Sequence, residues 1–315
     1  MERTKQKSDL VVVIGASSLD VVSRLEGDLC MGTSNPSSIR TSYGGVARNV
    51  AENLARLGQN VSLLSVIGKD RIGDEVLEHT TQAGVDVSNI HRTDRFPTGF
   101  YMGILNKDGN REFAFDDMRI LEELNSAYLE YNEDLVSQAG LIFVDANLPT
   151  ESLALVFKIA QEHNVPVCAD PTSVALSHNL SPYLKQISII VPNGIEAGVL
   201  LGKEFEQNNI EAALEAARKL VNHGVDEVFI SIGDLGLCYA SSETSGHFPA
   251  IITKVVDPTG AGDALTATVI FAFMNDLDLD DAAKLGVSAA TITLRHPGTV
   301  FPGLTLECLY DELTN

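Results

Sequence analysis

A run of small residues that ends in an acid is the sharpest chemical signal in the sequence. It reads Asp257-Pro258-Thr259-Gly260-Ala261-Gly262-Asp263 and leads into an apolar helical stretch, 264–274. Small residues leave the first N–H groups of a helix unobstructed, and the helix dipole adds partial positive charge, so this turn suits a phosphate. Asp263 would lie beside that anion and could take the proton of an attacking hydroxyl. The local pattern equally allows Asp263 only to cap the helix.

A second glycine site precedes the helical stretch 46–57. Gly44 and Gly45 permit close approach of a ligand to the backbone, and Asn49 in the second turn could hydrogen-bond sugar hydroxyls. Asp20 follows the first predicted strand, at a carboxyl end where open α/β sheets bind ligands. Its carboxylate could accept hydrogen bonds from vicinal hydroxyls. The structural alternatives are a tight turn for the two glycines and a turn residue for Asp20.

Two further polar segments follow predicted strands. Asn193 and Glu196 form an Asn-x-x-Glu pattern, in which Glu196 could hold a hydrated Mg²⁺ beside a triphosphate or, equally, cap the next helix. The segment 231–236, Ser-Ile-Gly-Asp-Leu-Gly, would let a nucleotide lie against backbone. The sequence contains no Walker A motif, no dinucleotide glycine fingerprint after the first strand, and no GxSxG or HExxH pattern.

Composition and charge exclude several classes of function. The 315 residues are 44% hydrophobic and carry 22 basic against 43 acidic side chains, a formal charge of −21. Such a surface repels nucleic acid and anionic lipid, so we expect neither as a partner. Four scattered cysteines without a CxxC pattern argue against a disulfide framework or structural zinc. The first apolar run, 10–14, is too short for a signal sequence or membrane span, which predicts a soluble cytoplasmic protein.

Short apolar strands alternate with helical patterns along most of the sequence. The predicted strands cover 10–14, 61–67, 141–145, 165–169, 187–191 and 228–232. The predicted helices cover 46–57, 73–83, 150–163, 210–222, 264–274 and 280–294. Several strands are apolar on both faces, as in a mostly parallel sheet covered by helices on both sides.

Two segments, 16–43 and 94–119, break this alternation. They contain short alternating strands, including a hairpin around the turn Lys107-Asp108-Gly109-Asn110. We interpret them as a small β-sheet lid on one domain that covers 1–315, with long surface loops as the alternative.

In combination and in order, these segments resemble the ribokinase (PfkB carbohydrate kinase) family over nearly the whole chain. The run from Asp257 to Asp263 matches the family signature, and the Gly44-Gly45-x-x-x-Asn49 element matches a less specific one. The resemblance implies a ribokinase-like α/β/α domain with a lid, and ATP-dependent phosphorylation of a sugar hydroxymethyl group.

The resemblance also implies a role for each matching residue. Asp263 would be the base, and Gly260, Ala261 and Gly262 would complete the anion hole. The residues implied to bind sugar are Asp20, Gly44, Gly45 and Asn49. Those implied to bind nucleotide are Asn193, Ser231, Gly233, Gly236, Thr259, Gly260 and Gly262. Glu196 would serve Mg²⁺, and Asp257 lies where many relatives bind a monovalent cation. The C-terminal loop 295–298 matches only partly, so K⁺ dependence stays open.

Further segments resemble the pseudouridine kinases of that family. They are Ser34-Asn35-Pro36, Phe115-Asp116-Asp117-Met118, Val144-Asp145-Ala146-Asn147 and Ala169-Asp170-Pro171-Thr172-Ser173. Asn147 stands where ribokinases proper tend to carry Glu, and its amide can both donate to and accept from a nucleoside. Asn35 and Met118 could meet the uracil ring, with surface packing as the alternative, and Asp170 joins them as a substrate residue. Ser37 departs from the glycine expected there.

The basic residues near the glycine pair bear on the substrate's charge. A phosphosugar would need extra cations, and only Arg40 and Arg48 lie nearby in sequence; Arg48 could equally be a helix-surface residue. An unphosphorylated ribosyl substrate is therefore favoured.

The sequence thus predicts an ATP-dependent kinase acting on the 5′-hydroxyl of a ribosyl compound, with pseudouridine first. One alternative is a ribokinase or another nucleoside kinase. The other is a non-catalytic sugar- or nucleotide-sensing protein on the same fold, which would have no need of a base. The exposed edges of the lid sheet would favour pairing into a homodimer.

Overall fold

The strands of the computed structural model, which describes residues 8–109 and 111–314, form one large central sheet and two smaller sheets. The strands are β1 (Leu10–Ile14), β2 (Ser18–Leu25), β3 (Ser37–Gly44), β4 (Asn60–Leu64), β5 (Val66–Gly68), β6 (His91–Thr93), β7 (Gly99–Leu105), β8 (Arg111–Asp117), β9 (Leu141–Asp145), β10 (Val167–Asp170), β11 (Ile189–Ile190), β12 (Glu227–Ser231), β13 (Leu237–Ser241) and β14 (Ser245–Phe248). Asn110, in the expected hairpin turn, lies outside the described residues.

Helices separate the parallel strands of the central sheet, and three more helices follow the last strand. They are α1 (Val46–Arg56), α2 (Arg71–Gln82), α3 (Ser126–Tyr131), α4 (Glu133–Ser137), α5 (Thr150–His163), α6 (Gly194–Leu200), α7 (Ile210–Asn222), α8 (Ala261–Met274), α9 (Leu279–Leu294) and α10 (Leu306–Thr314). Short 3-10 helices span Arg119–Glu123, Ser177–Gln186 and Gly233–Leu235. In the described ranges, no helix combines the length and the apolar composition needed to cross a membrane.

The large sheet has the order β14-β13-β12-β11-β10-β9-β1-β4. Its strands from β4 to β12 pair in parallel, and β13 and β14 add an antiparallel edge. Successive residues of β1 enter different cores: Val11 and Val13 belong to a core that includes residues of α1, α8 and α9, whereas Val12 and Ile14 belong to one that includes residues of α5 and α7. This alternation confirms the layered α/β/α architecture, since both faces of the sheet are covered.

A separate four-stranded sheet, the lid sheet, has the order β3-β2-β7-β8. Its strands fall in the two segments that lack helical periodicity. Asp20 pairs in register with Ser42 and Tyr101, and Val21 pairs with Thr41 and Met102, so the two rows lie on opposite faces. The Asp20 face is therefore distinct from the Val21 face.

Some element boundaries differ from the sequence-based expectation. The predicted strand 61–67 is two strands, because the chain bends at Ser65, whose hydroxyl donates to the Gly15 carbonyl at 2.6 Å. Residues beyond the bend pair with β6 in a small parallel sheet. The strand predicted at 165–169 begins only after Pro166, which has no N–H for a sheet ladder.

Candidate active site

Parallel pairing brings the ends of several strands to one edge of the large sheet. The carboxyl ends of β1, β9, β10, β11 and β12 lead into the segments that carry Asp20, Asp145, Asp170, Asn193 and Ser231. These residues are far apart in the sequence, and the topology places them at the edge where α/β sheets bind ligands.

Asp263 lies in the first turn of α8, and its carboxylate points toward α1. Asn49 Nδ2 donates to Asp263 Oδ2 at 2.6 Å. At its described N-terminus α8 has no side-chain cap, because Gly260 occupies the capping position. Asp263 is thus held by a side chain from another helix, an arrangement that differs from simple capping.

The electrostatic surroundings raise the pKa of Asp263 to about 7. Burial among protein atoms is the main cause, and the charges of Asp20 and Asp145 add to it. The hydrogen bond from Asn49 and the charge of Arg48 act in the opposite direction. A carboxyl with a pKa near the working pH can accept a proton from an alcohol and release it again.

Close contacts with backbone or side-chain atoms explain three of the glycines near Asp263. Gly260 has φ +82°, and a Cβ there would lie 1.8 Å from the Thr299 carbonyl oxygen. A Cβ on Gly44 would lie 2.0 Å from Asp20 Oδ1, and one on Gly45 (φ +91°) would lie 2.3 Å from the Ala16 carbonyl oxygen. A Cβ on Gly262, by contrast, would meet nothing within 4 Å. Gly260 therefore shapes the loop, while Gly262 and the neighbouring Ala261 leave room before the helix.

Asp20 lies buried on the lid sheet, with its Oδ1 accepting from the Ser18 hydroxyl at 2.8 Å. Burial is the largest cause that raises the pKa of Asp20 to about 6, and the charge of Asp257 adds to it. Arg40 on β3 lies 3.8 Å from Asp257 Oδ2. The lid sheet thus reaches the loop that precedes α8.

Asp145 and Asp170 end neighbouring strands and are both buried. Asp145 Oδ2 accepts from the N–H groups of Ala16 (2.8 Å) and Ala47 (3.3 Å), which fixes the end of β1 against the start of α1. Burial, with the charges of Asp263 and Glu196, raises the pKa of Asp170 well above its usual range. Sequence reasoning gave Asp145 no role of its own; its position at a strand end, like that of Asp170, was the available signal.

The Asn193–Glu196 pair forms a reciprocal capping box at the start of α6. Glu196 N–H donates to Asn193 Oδ1 at 3.0 Å, and Asn193 N–H donates to Glu196 Oε2 at 2.8 Å. The capping alternative is therefore present in the structure. Burial raises the pKa of Glu196, and its oxygens are the hard ligands that Mg²⁺ prefers. A role in metal binding stays a prediction.

A cavity of 190 Å³ lies beside this capping box. Its walls include Asn193, Ser231 and Gly233, which the sequence assigned to the nucleotide, together with Phe205. Gly236 has a different position: its φ is +99°, and a Cβ would lie 2.2 Å from the Phe248 carbonyl oxygen. Gly236 therefore shapes the turn between β12 and β13.

Asp257 and Thr259 form a local turn before α8, with Thr259 N–H donating to Asp257 Oδ1 at 3.0 Å. Among the residues that the structure describes, no three His, Cys, Asp or Glu side chains form a metal-binding group. Mg²⁺ commonly takes only one or two protein carboxylates and completes its shell with water and phosphate. Glu196 fits that mode of binding as a single carboxylate, and the monovalent-cation role of Asp257 stays a prediction.

Three candidate substrate residues have weaker structural links to Asp263. Asn35 closes its own loop, since its Oδ1 accepts from Cys30 N–H at 2.7 Å and its Nδ2 donates to the Cys30 carbonyl at 2.9 Å. Met118 lies at the base of the lid sheet, with its sulfur 3.0 Å from the position of a Cβ on Gly99. Asn147 is half-buried, and its N–H donates to Asp145 Oδ1 at 3.1 Å. Their contact with a nucleobase stays a prediction.

Comparison with known proteins places this chain in a family. The model of the pfkB family carbohydrate kinases matches residues 8–305. The chain belongs to this family. It is a sugar or nucleoside kinase that transfers phosphate.

Individual relatives match over nearly the full chain. A pseudouridine kinase of Escherichia coli is 31% identical over 302 residues, covering 96% of this chain and 95% of that protein. A ribokinase of Schizosaccharomyces pombe is 29% identical over 304 residues, covering 91% of this chain and 92% of its own length. The structure of an Arabidopsis thaliana ribokinase complexed with ribose and ATP superposes with a TM-score of 0.81 at 22% identity, covering 97% of this chain and 98% of that one. The last comparison confirms the ribokinase-like fold.

Proposed function

We propose that the chain is an ATP-dependent kinase that phosphorylates the 5′-hydroxyl of a ribosyl compound, with pseudouridine as the preferred substrate. The observation that carries the chemistry is Asp263, held by Asn49 at the open N-terminus of α8. The relative named as a pseudouridine kinase supports the substrate, as does the amide of Asn147.

In the proposed mechanism, Asp263 accepts the proton of the 5′-hydroxyl as its oxygen bonds to the γ-phosphorus. The bond from that phosphorus to the bridging oxygen of ADP breaks, so ADP leaves with the electron pair. The free N–H groups at the start of α8 stabilise charge on the transferring group, and Asp20 orients the sugar hydroxyls. Glu196 is the residue that would hold Mg²⁺, which supplies positive charge near the phosphates, and Asp257 would lie beside a monovalent cation.

The four uncrosslinked cysteines support a reducing compartment such as the cytoplasm for this reaction.

Arg48, which the sequence allowed on the helix surface, is only 1% exposed and bonded to protein groups, so the suggestion of a surface position is wrong. Its donors are bonded to protein groups, so only Arg40 of the two basic residues is left to meet the second phosphate of a phosphosugar, which supports an unphosphorylated substrate.

The test measures ADP release from MgATP with pseudouridine, uridine, ribose and adenosine in parallel, with and without K⁺. Pseudouridine and uridine form the matched pair, because they share ribose and uracil and differ only in the atom that joins them. We expect kcat/KM to be highest for pseudouridine. Faster turnover of ribose or adenosine would contradict the substrate assignment and retain the kinase. Absence of turnover with all four would contradict the proposed reaction.

We also propose that two copies pair through their lid sheets. The face opposite Asp20 exposes Ile39 (64%) and Phe115 (61%), with Val21 and Met102 between the outer strands. The earlier expectation was pairing at the sheet edges; an apolar face is the stronger argument, because its burial would remove these side chains from water. Pairing on this face leaves the Asp20 face free for substrate.

Light scattering is expected to give twice the chain mass of 33.8 kDa for the wild type. Phe115→Asp should give a monomer, since a charge in an apolar interface is costly to bury. Tyr131→Asp is the matched control, because Tyr131 is 87% exposed on α3, outside the lid sheet. A wild type that is monomeric in both dilute and concentrated solution would rule out the dimer.

A further inference from the structure

Arg48 is buried where the lid sheet, α1 and the loop around Thr299 meet. Its Nε donates to the Gly44 carbonyl at 3.0 Å, and its Nη2 donates to the Tyr43 carbonyl at 2.8 Å. Its Nη1 donates to Glu52 one turn along the helix. The guanidinium therefore fixes the end of β3 against α1.

The same guanidinium also determines which way the Asn49 amide faces. Arg48 Nη2 donates to Asn49 Oδ1, and Asn49 Nδ2 donates to Asp263 Oδ2 at 2.6 Å. A guanidinium has only donors, so the oxygen of the amide must face Arg48. The NH₂ group of Asn49 is then turned toward the carboxylate of Asp263.

A third contact extends this network to the loop that contains Thr299. Arg48 Nη2 lies 3.4 Å from Thr299 Oγ1, which donates to the Tyr43 carbonyl at 2.5 Å. The carbonyl of Thr299 is the group that a Cβ on Gly260 would strike. Arg48 is therefore linked to both sides of the turn that carries Asp263.

We propose that Arg48 is a positioning residue for the phosphoryl transfer: it orients the Asn49 amide toward Asp263 and holds the Thr299 loop against Gly260. This inference rests on the proposed function, in which Asp263 is the base. Arg48 acts through Asn49 and Thr299 and does not touch the reacting atoms.

The charges around Asp263 explain why the orientation of one amide matters. Asp20, Asp145 and Asp170 are the acidic groups that interact with it, and each disfavours its ionisation. The Asn49 hydrogen bond and the charge of Arg48 favour the carboxylate. Loss of Arg48 removes the charge and frees the amide to turn its oxygen toward Asp263, so both effects would raise the pKa.

Two variants test this role. Arg48→Lys keeps the charge but loses the forked geometry that reaches several acceptors. Arg48→Met combined with Glu52→Met replaces the buried pair by apolar side chains, a type of exchange that often preserves folding, and leaves the Asn49 oxygen without its donor. The matched control is Arg56→Met, because Arg56 Nη2 binds the same Glu52 at 2.5 Å and makes no described contact with Asn49.

The first readout is the pKa of Asp263, which is measured by a carbon-13 NMR titration of the aspartate carboxyl groups. The Asp263 signal is assigned as the one that is missing from the spectrum of Asp263→Asn. We expect the double variant to raise it by about one pH unit, Arg48→Lys to raise it less, and Arg56→Met to leave it unchanged. The second readout is kcat, which we expect to fall about tenfold or more in both Arg48 variants, with a smaller change in KM.

The NMR titration needs no substrate, so it separates this inference from the proposed function. If the wild type phosphorylates none of the four compounds, the proposed function fails and the titration still decides whether Arg48 controls Asp263. A folded double variant with the wild-type pKa would overturn the proposal. The proposal would also be overturned if both Arg48→Lys and the double variant retained the wild-type kcat.

Discussion

Asp263→Asn is expected to lower kcat by about 10²–10⁴, the range for loss of a general base. The substitution keeps the size of the side chain and removes its ability to accept the hydroxyl proton. Asp281→Asn is the matched control, since Asp281 is likewise the third residue of its helix, α9, with its side chain half exposed. It should leave kcat unchanged. A change of less than threefold in Asp263→Asn, under conditions where chemistry limits the rate, would show that Asp263 is not the base.

The pH dependence gives the same experiment a second readout. Because Asp263 must be deprotonated to act, kcat/KM of the wild type should rise through pH 7, near its pKa of about 7, and Asp263→Asn should lack this step. The pKa of Asp263 in the folded state, about 7, lies above the ordinary value of 3.8. Asp263 therefore lowers the stability of the fold as pH rises from 3.8 to about 7. Asp263→Asn should therefore unfold at or above the wild-type temperature at pH 8, which excludes misfolding as the cause of lost activity.

Gly260→Ala is expected to reduce kcat about 100-fold and to lower the unfolding free energy by at least about 1–3 kcal/mol. Its added methyl group would lie 1.8 Å from the Thr299 carbonyl, at a φ of +82° that disfavours alanine. The loop must then move, and the turn that carries Asp263 moves with it. Activity and thermal unfolding are measured together.

Gly262→Ala provides the comparison two residues away. Its Cβ would meet nothing within 4 Å, so the unfolding temperature should match the wild type. We expect its KM for ATP to rise, because the methyl group occupies the space proposed for the phosphate. Wild-type stability and kcat in Gly260→Ala would show that the contact with Thr299 does not shape the site.

The regular elements of the fold follow from local patterns in the sequence. The predicted helices 150–163 and 210–222 agree with α5 and α7, because their apolar residues repeat at helical spacing and face one core. The strand 61–67 was wrong as one element, since its break at Ser65 depends on a hydrogen bond to Gly15, which lies 50 residues earlier. Local patterns carry no information about such a partner.

The candidate site was likewise predictable only where its residues are neighbours in the sequence. The turn from Gly260 to Asp263 was predictable because its small residues and its helix are adjacent in the sequence. The burial of Arg48 was not, because an arginine four residues before a glutamate usually marks an exposed helix pair. One of the residues that cover Arg48 is Thr299, which is 251 positions away in the sequence. The role of Asp145 depends in a similar way on a backbone N–H from Ala16, across 129 positions.

The hydrogen bond between Asn49 and Asp263 joins residues 214 positions apart, which has a consequence for synthesis on the ribosome. At about 5–20 residues per second, Asp263 is synthesised roughly 10–40 s after Asn49. Thr299, which covers Arg48, comes later still. Nascent chains therefore carry Asn49 before its acceptor Asp263 exists, and Arg48 before Thr299 can cover it. Catalytic competence should begin only after residue 299 has emerged, so ribosome-bound chains stalled before it should be inactive.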